Sequence, residues 1–149
     1  MKQKPVSRNE NIITRKMGAS ILFGGLYLTL VSMLFLGTGL AERLIFGSAG
    51  ATNEGLLTAY FTFYIFTILF NMFNARMEGL KIFANIGKNP GFIGVFLGIS
   101  LIQLCMTYWG GHIFRCFGLS FPELAKTLAL AALIIPADLA RKRLCGVKD

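Results

Sequence analysis

Apolar and polar positions separate along this chain into long segments rather than alternating residue by residue. Four apolar runs approach or exceed the roughly 20 helical residues needed to cross the hydrocarbon core of a bilayer. They cover residues 18–40, 56–75, 91–109 and 122–139, and the fourth is the weakest of them. The pattern predicts an all-α polytopic membrane protein, folded as a bundle of four transmembrane helices.

Two prolines mark helix boundaries in this pattern. Pro90 precedes the third run, where its missing N–H and fixed φ suit the first turn of a helix. Pro136 lies inside the fourth run and predicts a kink there. Asp138 follows near the end of that run, and we expect its carboxylate to reach water or to pair with Arg141 or Lys142 in a structural role.

Composition supports the membrane class and limits the alternatives. Apolar residues make up 54% of the 149 residues, charged residues make up 15%, and the mean hydropathy is +0.62. A soluble domain has more polar surface. The net charge of +8 could point to nucleic acid, but the basic residues form short clusters beside the apolar runs, which is typical of membrane topology. No nucleic acid partner is therefore expected.

These basic clusters predict the orientation of the chain. They lie within residues 2–16, 76–88 and 141–148. Because such clusters remain on the cytoplasmic side, both termini are predicted to be cytoplasmic. Tyr108 and Trp109 then fall where the third run leaves the outer leaflet, as interfacial aromatic residues do.

The same reasoning divides the chain into three segments. They are a cytoplasmic N-terminal segment (1–17), a membrane domain (18–140) and a basic cytoplasmic tail (141–149). The first apolar run is expected to be a retained span rather than a cleaved signal, because it is too long for a signal core and no small-residue cleavage site stands out after it.

Small and polar residues within the runs predict which helix faces pack together, because close packing and interhelical hydrogen bonds replace the hydrophobic drive in lipid. The first, third and fourth runs carry such residues at three- or four-residue spacing: Gly25, Thr29, Ser32 and Gly39; Gly94, Gly98 and Cys105; Ala125, Ala129, Ala132 and Pro136. The second run has the most polar stripe, with Tyr60, Tyr64, Thr67, Asn71 and Asn74.

Residues 69–92, LFNMFNARMEGLKIFANIGKNPGF, resemble a segment of the plasma-membrane type of calcium-transporting P-type ATPase. The eighth membrane helix of that family ends in a phrase like F-N-x-x-N-A-R, matched here by Phe70, Asn71, Asn74, Ala75 and Arg76. The cytoplasmic loop that follows has F-x-x-I-x-x-N-P-x-F, matched by Phe83, Ile86, Asn89, Pro90 and Phe92.

The resemblance covers nearly the whole chain in the same order. Upstream, KPVSRNENIITRKM is similar to the loop before the family's seventh helix, and downstream Gly110, Gly111 and Phe114 match a G-G-x-x-F pattern after the ninth. Agreement over residues 41–55 is poor, so nothing is inferred there. The resemblance implies that this chain is the seventh to tenth helices of such a pump.

The resemblance also implies what the chain lacks. The family's D-K-T-G-T phosphorylation motif and T-G-E loop are not in this sequence, and its calcium ligands come mainly from the fourth, fifth and sixth helices. We therefore expect the chain to support the transport helices in the plasma membrane and to be inactive alone. The complete pump would use ATP, Mg²⁺ and Ca²⁺, and the partners would be lipid and the remaining helices and cytoplasmic domains.

Asn71 and Asn74 are the weak candidates for a cation path, and two interpretations stay open. Their amide oxygens could line the path, or their side chains could join neighbouring helices. A calcium site takes about 6 to 8 oxygens with carboxylates among them, and no run holds a carboxylate near its middle. Ile68 offers no oxygen ligand either, although the resemblance places it where the two-site pumps of the endoplasmic reticulum have a ligating Glu.

No catalytic, cofactor-binding or metal site is assigned within the chain. Cys105, Cys116 and Cys145 are expected within the membrane, in an outer loop and in the tail, and they form no CxxC spacing. His112 is expected to be a solvated loop residue. The alternative to the pump domain is a small standalone four-helix membrane protein, acting as a subunit or regulator of a larger complex.

Overall fold

The computed structural model describes residues 15–76 and 90–144, and within these two stretches the chain is helical without a β-strand. The helices are α1 (Arg15–Gly37), α2 (Leu40–Phe46), α3 (Asn53–Arg76), α4 (Pro90–Trp109), α5 (Gly111–Phe114), α6 (Phe121–Ala132) and α7 (Ile134–Leu144), with a 3₁₀ turn at Gly47–Ala49. The all-α prediction is confirmed. Cys145, most of the N-terminal segment and the loop motif before Pro90 lie outside these stretches.

Within the described residues, three helices are long and apolar enough to cross a membrane. They correspond to Gly18–Gly37 in α1 with 20 residues, Asn53–Ala75 in α3 with 23, and Pro90–Trp109 in α4 with 20. These match the first three predicted spans. α4 begins at Pro90, as its fixed φ predicts.

The fourth predicted span is two helices instead of one. α6 has 12 residues and α7 has 11, and a turn at Leu133 separates them. The break follows from Pro136, which has no N–H for the carbonyl of Ala132 and whose ring crowds that carbonyl. The predicted irregularity therefore lies three residues before the proline, at Leu133, whose φ of −61° and ψ of −19° remain in the helical region.

α3 lies at the centre of the bundle and packs against α1, α4, α6 and α7. Its membrane-length window is 39% buried within the chain, compared with 11% for α1 and for α4. Aromatic rings fill the interfaces of α3 with α1 and with α4. Phe35 of α1 stacks on Phe63 at 5.0 Å between ring centroids. Phe73 meets Phe92 and Phe96 of α4 at 5.1 and 5.0 Å. The two flanking helices thus leave most of their own surface uncovered.

The connection between the first two spans is packed rather than loose. α2 buries Ala41 and Ile45 and contacts α6, where Lys126 donates a 2.9 Å hydrogen bond from Nζ to the carbonyl of Ile45. Glu42 accepts the N–H of Ala51 at 2.9 Å and closes the following turn. Lys126 lies within α6.

The predicted packing faces of α1, α4 and α6 are wrong for this chain. Gly25, Gly94 and Gly98 are exposed, with no heavy atom within 4 Å of where a Cβ would stand, and Thr29, Ala125 and Ala129 are exposed too. Gly24 is the glycine of α1 that meets α3. On α6 and α7 the buried positions are Thr127, Ala131, Ile134, Asp138 and Lys142.

Candidate functional site along the central helix

Polar side chains run along the buried side of α3. Thr58, Thr62, Thr67 and Asn74 are all buried. Thr58 and Thr67 donate to the carbonyls of Glu54 and Phe63 one turn earlier, at 2.8 and 2.7 Å. Such back-bonding satisfies the hydroxyl proton inside its own helix, and the Thr58 oxygen in addition accepts from the N–H of Phe117 at 3.3 Å.

Thr62 instead joins α3 to α4. Its hydroxyl lies 3.1 Å from that of Thr107, and the amide nitrogen of Gln103 approaches both hydroxyls at 3.5 and 3.4 Å. Thr107 also donates to the carbonyl of Gln103 at 2.9 Å. This cluster was not predicted, although Gln103, a glutamine inside the third apolar run, indicates a polar contact between helices.

Asn74 connects α3 to α7 through both its side chain and its main chain. Its amide donates to the carbonyl of Ile134 at 3.0 Å, and its own carbonyl accepts from Nζ of Lys142 at 2.9 Å. That carbonyl is among the last four of α3, which have no intrahelical donor. Lys142 therefore caps the end of the central helix.

Asn71 contacts a different helix from Asn74. A Cβ built on Gly24 of α1 would stand 2.8 Å from its amide nitrogen, so the two helices approach closely at this point. The two asparagines that the sequence singled out are thus placed against α1 and α7 respectively.

Asp138 is the centre of a buried ion cluster on α7. Its side chain is only 4% exposed, and one carboxylate oxygen accepts from Nε of Arg141 at 2.8 Å and forms an ion pair with Nη2 of the same guanidinium at 2.7 Å. Lys142 Nζ lies 3.1 Å from the other oxygen as an ion pair without hydrogen-bond alignment. The predicted pairing of Asp138 is confirmed, and it involves both basic residues.

The cluster extends to α1 through Arg141. Its NH2 donates to the hydroxyl of Ser20 at 3.0 Å, and its guanidinium lies 5.3 Å from the centroid of the Phe23 ring. The second contact is a cation–π interaction. Three helices therefore meet at the end of α3, joined by charged groups that are nearly all buried.

Glu123 and Cys116 serve local structure. Glu123 accepts the N–H of Ser120 at 2.8 Å and completes a capping box at the start of α6. Cys116 is buried beside Thr58; desolvation raises the pKa of its thiol, and the hydrogen bond with Thr58 opposes that shift. Over residues 15–76 and 90–144, no three His, Cys, Asp or Glu side chains lie close enough to hold a metal ion together. His112 is exposed, with its ring edge against Phe117.

The structure defines an all-α membrane domain in which buried polar groups join helices to one another. A family model described as "Cation transporting ATPase, C-terminus" matches residues 1–144, and the chain belongs to this family. The predicted resemblance to the C-terminal region of a plasma-membrane-type calcium ATPase is confirmed.

Among the relatives, plasma membrane calcium-transporting ATPase 3 of Rattus norvegicus is 33% identical over 129 residues, covering 79% of this chain and 10% of that protein. Probable calcium-transporting ATPase 6, plasma membrane-type, of Oryza sativa subsp. japonica is 30% identical over 112 residues, covering 74% of this chain and 11% of that protein. The chain thus spans about a tenth of the length of these relatives. No solved structure matches it significantly.

Proposed function

We propose that this chain is the C-terminal membrane domain of a plasma-membrane calcium-transporting ATPase, and that it supports the transport helices. The family match and the relatives' names support this assignment. ATP, Mg²⁺ and the calcium ligands belong to the rest of the pump, so the chain alone is inactive. Both termini lie on the cytoplasmic side, following the basic clusters.

One observation carries the supporting role: the central helix has an uncovered face. Leu57, Phe61, Tyr64 and Ile68 follow one another at three- or four-residue spacing and form what we call the outward stripe of α3. Leu57 and Ile68 are 46% and 41% exposed although the opposite side of α3 is the core of the bundle. A further helix can therefore contact α3 directly.

The chemistry of the outward stripe favours protein over lipid as its neighbour. Tyr64 lies near the middle of the 24-residue α3, which is the middle of the predicted span. A buried tyrosine hydroxyl needs a hydrogen-bond partner, and hydrocarbon offers none. We therefore assign this stripe to contact with the transport helices of the pump.

Ile68 lies on the same stripe, and this gives the proposal a measurable consequence. An isoleucine has no oxygen to offer to Ca²⁺, a hard cation that requires oxygen ligands. A full-length pump carrying this segment should therefore occlude about one Ca²⁺ per phosphorylated intermediate, and Ile68→Ala should change calcium affinity by no more than about threefold. Occlusion normalised to phosphoenzyme measures this, and a ratio near two contradicts the arrangement.

A matched pair of substitutions tests the contact itself. Ile68→Trp should reduce calcium uptake by the full-length pump about tenfold, because overpacking a helix interface costs about 1 to 3 kcal/mol. Ile102→Trp is the control, since Ile102 is 60% exposed on α4, a flanking helix, and should change uptake by less than about twofold. If Ile68→Trp reduces calcium uptake no more than Ile102→Trp does, the outward stripe faces lipid instead.

A further inference from the structure

The second half of the fourth span, α7, can lie in a membrane only if its charged side chains are paired or reach water. α6 has 12 residues and reaches about 18 Å, which is short of the roughly 30 Å hydrocarbon core. A crossing therefore depends on α7, yet α7 carries Asp138, Arg141, Lys142 and Arg143 within 11 residues. Charged side chains near lipid are costly unless they are paired or reach water.

Asp138 of α7 is connected to the other helices through two neighbouring cations. Asp138 holds Arg141 and Lys142, at 2.7 and 3.1 Å. Arg141 then donates to Ser20 of α1, and Lys142 donates to the main-chain carbonyl of Asn74 on α3. Asp138 acts through these two cations, so it is a positioning residue for both interhelical contacts.

The chain also has a point of weakened backbone hydrogen bonding next to this cluster, between Leu133 and Pro136, which we call the hinge. Leu133 separates α6 from α7, and Pro136 leaves the Ala132 carbonyl without its intrahelical donor. Beyond the hinge, the Asn74 amide contacts the carbonyl of Ile134 in the first turn of α7. The packing of buried Ile134 against α3 adds to these polar contacts, and a half-helix that follows a hinge is the kind of element that can take docked and released positions.

We propose that α7 is a releasable half-span, held against the ends of α1 and α3 by a latch composed of Asp138, Arg141 and Lys142 with their acceptors on Ser20 and Asn74. In the docked position the latch completes the fourth span and caps α3. In the released position α7 moves toward the membrane surface and exposes Lys142 to water. The latch therefore links the capping of the cytoplasmic end of α3 to whether α7 is docked or released.

Acylation of lysine amines tests this inference on the full 149-residue chain in lipid nanodiscs. A water-soluble succinimidyl ester is applied in short pulses, and modification of each lysine is followed by mass spectrometry. Lys142 is buried and should react slowly, whereas Lys126, at the other end of the fourth span, is less buried and lies outside the latch, with its Nζ bonded to the carbonyl of Ile45, and is the internal reference. Asp138→Asn should raise the rate at Lys142 about tenfold or more, because a protected amine reacts through the open population, and Lys126 should not change.

Arg141→Gln and Arg143→Gln form the matched control pair. Arg141 is in the latch, whereas Arg143 is exposed on the same helix, so only the first should accelerate Lys142 acylation. Asp138→Glu keeps the charge and should retain most of the protection. These comparisons decide the question even if Asp138→Asn does not fold.

Two results would overturn the latch. One is a Lys142 that reacts as fast as Lys126 in the unmodified chain. The other is equal acceleration by Arg141→Gln and Arg143→Gln, which would indicate general loosening of α7. Pump activity is not part of the readout, so the outcome is independent of the proposed function.

Discussion

At the scale of single residues, Asn71 and Asn74 show how neighbouring polar side chains take different roles. Both lie in the last part of α3, but Asn71 packs on Gly24 of α1 while Asn74 donates to Ile134 of α7. The hydrogen bond to Ile134 belongs to the side chain, whereas the contact with Lys142 belongs to the main chain and survives truncation of the side chain. This difference makes the two asparagines separable by mutation.

Asn74→Ala should lower the stability of the chain by about 1 kcal/mol, which is typical of one hydrogen bond between membrane helices. Asn71→Ala should cost less than half as much, since its amide is in van der Waals contact with α1. Unfolding by a denaturing detergent in mixed micelles measures both. A larger loss for Asn71→Ala would contradict the assigned contacts.

At the scale of helices, the bundle is organised by which side of each helix meets α3. Gly24 and Gly25 are adjacent on α1, yet only Gly24 faces the central helix. A side chain at Gly24 would stand 2.8 Å from the Asn71 amide nitrogen, whereas Gly25 faces open space. Substitutions at these two glycines therefore show how α1 is rotated about its own axis relative to α3.

Gly24→Ala and Gly25→Ala should change stability in opposite directions. Alanine is the better helix former by about 0.5 to 1 kcal/mol, so Gly25→Ala should stabilise the chain by up to that amount. Gly24→Ala should instead destabilise it by about 1 kcal/mol, because Asn71 or the whole helix has to shift. The same detergent titration measures both variants, and stabilisation by Gly24→Ala would show that α1 is rotated relative to this structure.

At the scale of the whole molecule, the end of the bundle formed by residues 108–120 is more closed than the sequence indicated. Cys116 was expected in an outer loop, and it is buried where the N–H of Phe117 contacts the hydroxyl of Thr58. Tyr108 adds a 2.9 Å hydrogen bond to the carbonyl of Leu119, which ties the end of α4 to the residues that precede α6. A topology experiment therefore needs a more accessible position than Cys116.

An impermeant maleimide should label His112→Cys from outside and Arg143→Cys only after permeabilisation, in a chain whose native cysteines are replaced. The reverse pattern would show the opposite orientation. Native Cys116 should react at least about tenfold more slowly than an exposed thiol, because reaction needs the thiolate and a raised pKa lowers its fraction. Its rate should rise with pH until the pH exceeds that raised pKa.

The purified chain in detergent should show no calcium-dependent phosphate release and no retained calcium above an empty-membrane control. The reason is that Thr62, Thr107 and Asn74 are committed to helix contacts and the sequence has no nucleotide-binding motif. Scintillation counting after gel filtration and a phosphate assay measure the two quantities. Either activity above the control would remove the basis for the supporting role.

Local features of this protein were determined by the sequence alone. The apolar runs define the membrane class, Pro90 starts a helix and Pro136 interrupts one, because length and proline geometry act within a few residues. Asp138 and its two cations are also local, since they are three and four residues apart on one helix.

Helix faces and long-range partners were decided only by the tertiary structure. The small-residue stripes of α1, α4 and α6 predicted the wrong faces, and the contact of Thr62 with Thr107 joins residues 45 positions apart. In a soluble protein the contrast between water and core marks the buried face, but in lipid both faces of a helix are apolar. Which face packs is then fixed by the shapes of large side chains such as Phe35 and Phe63 meeting across the bundle, and those contacts exist only once the helices are assembled.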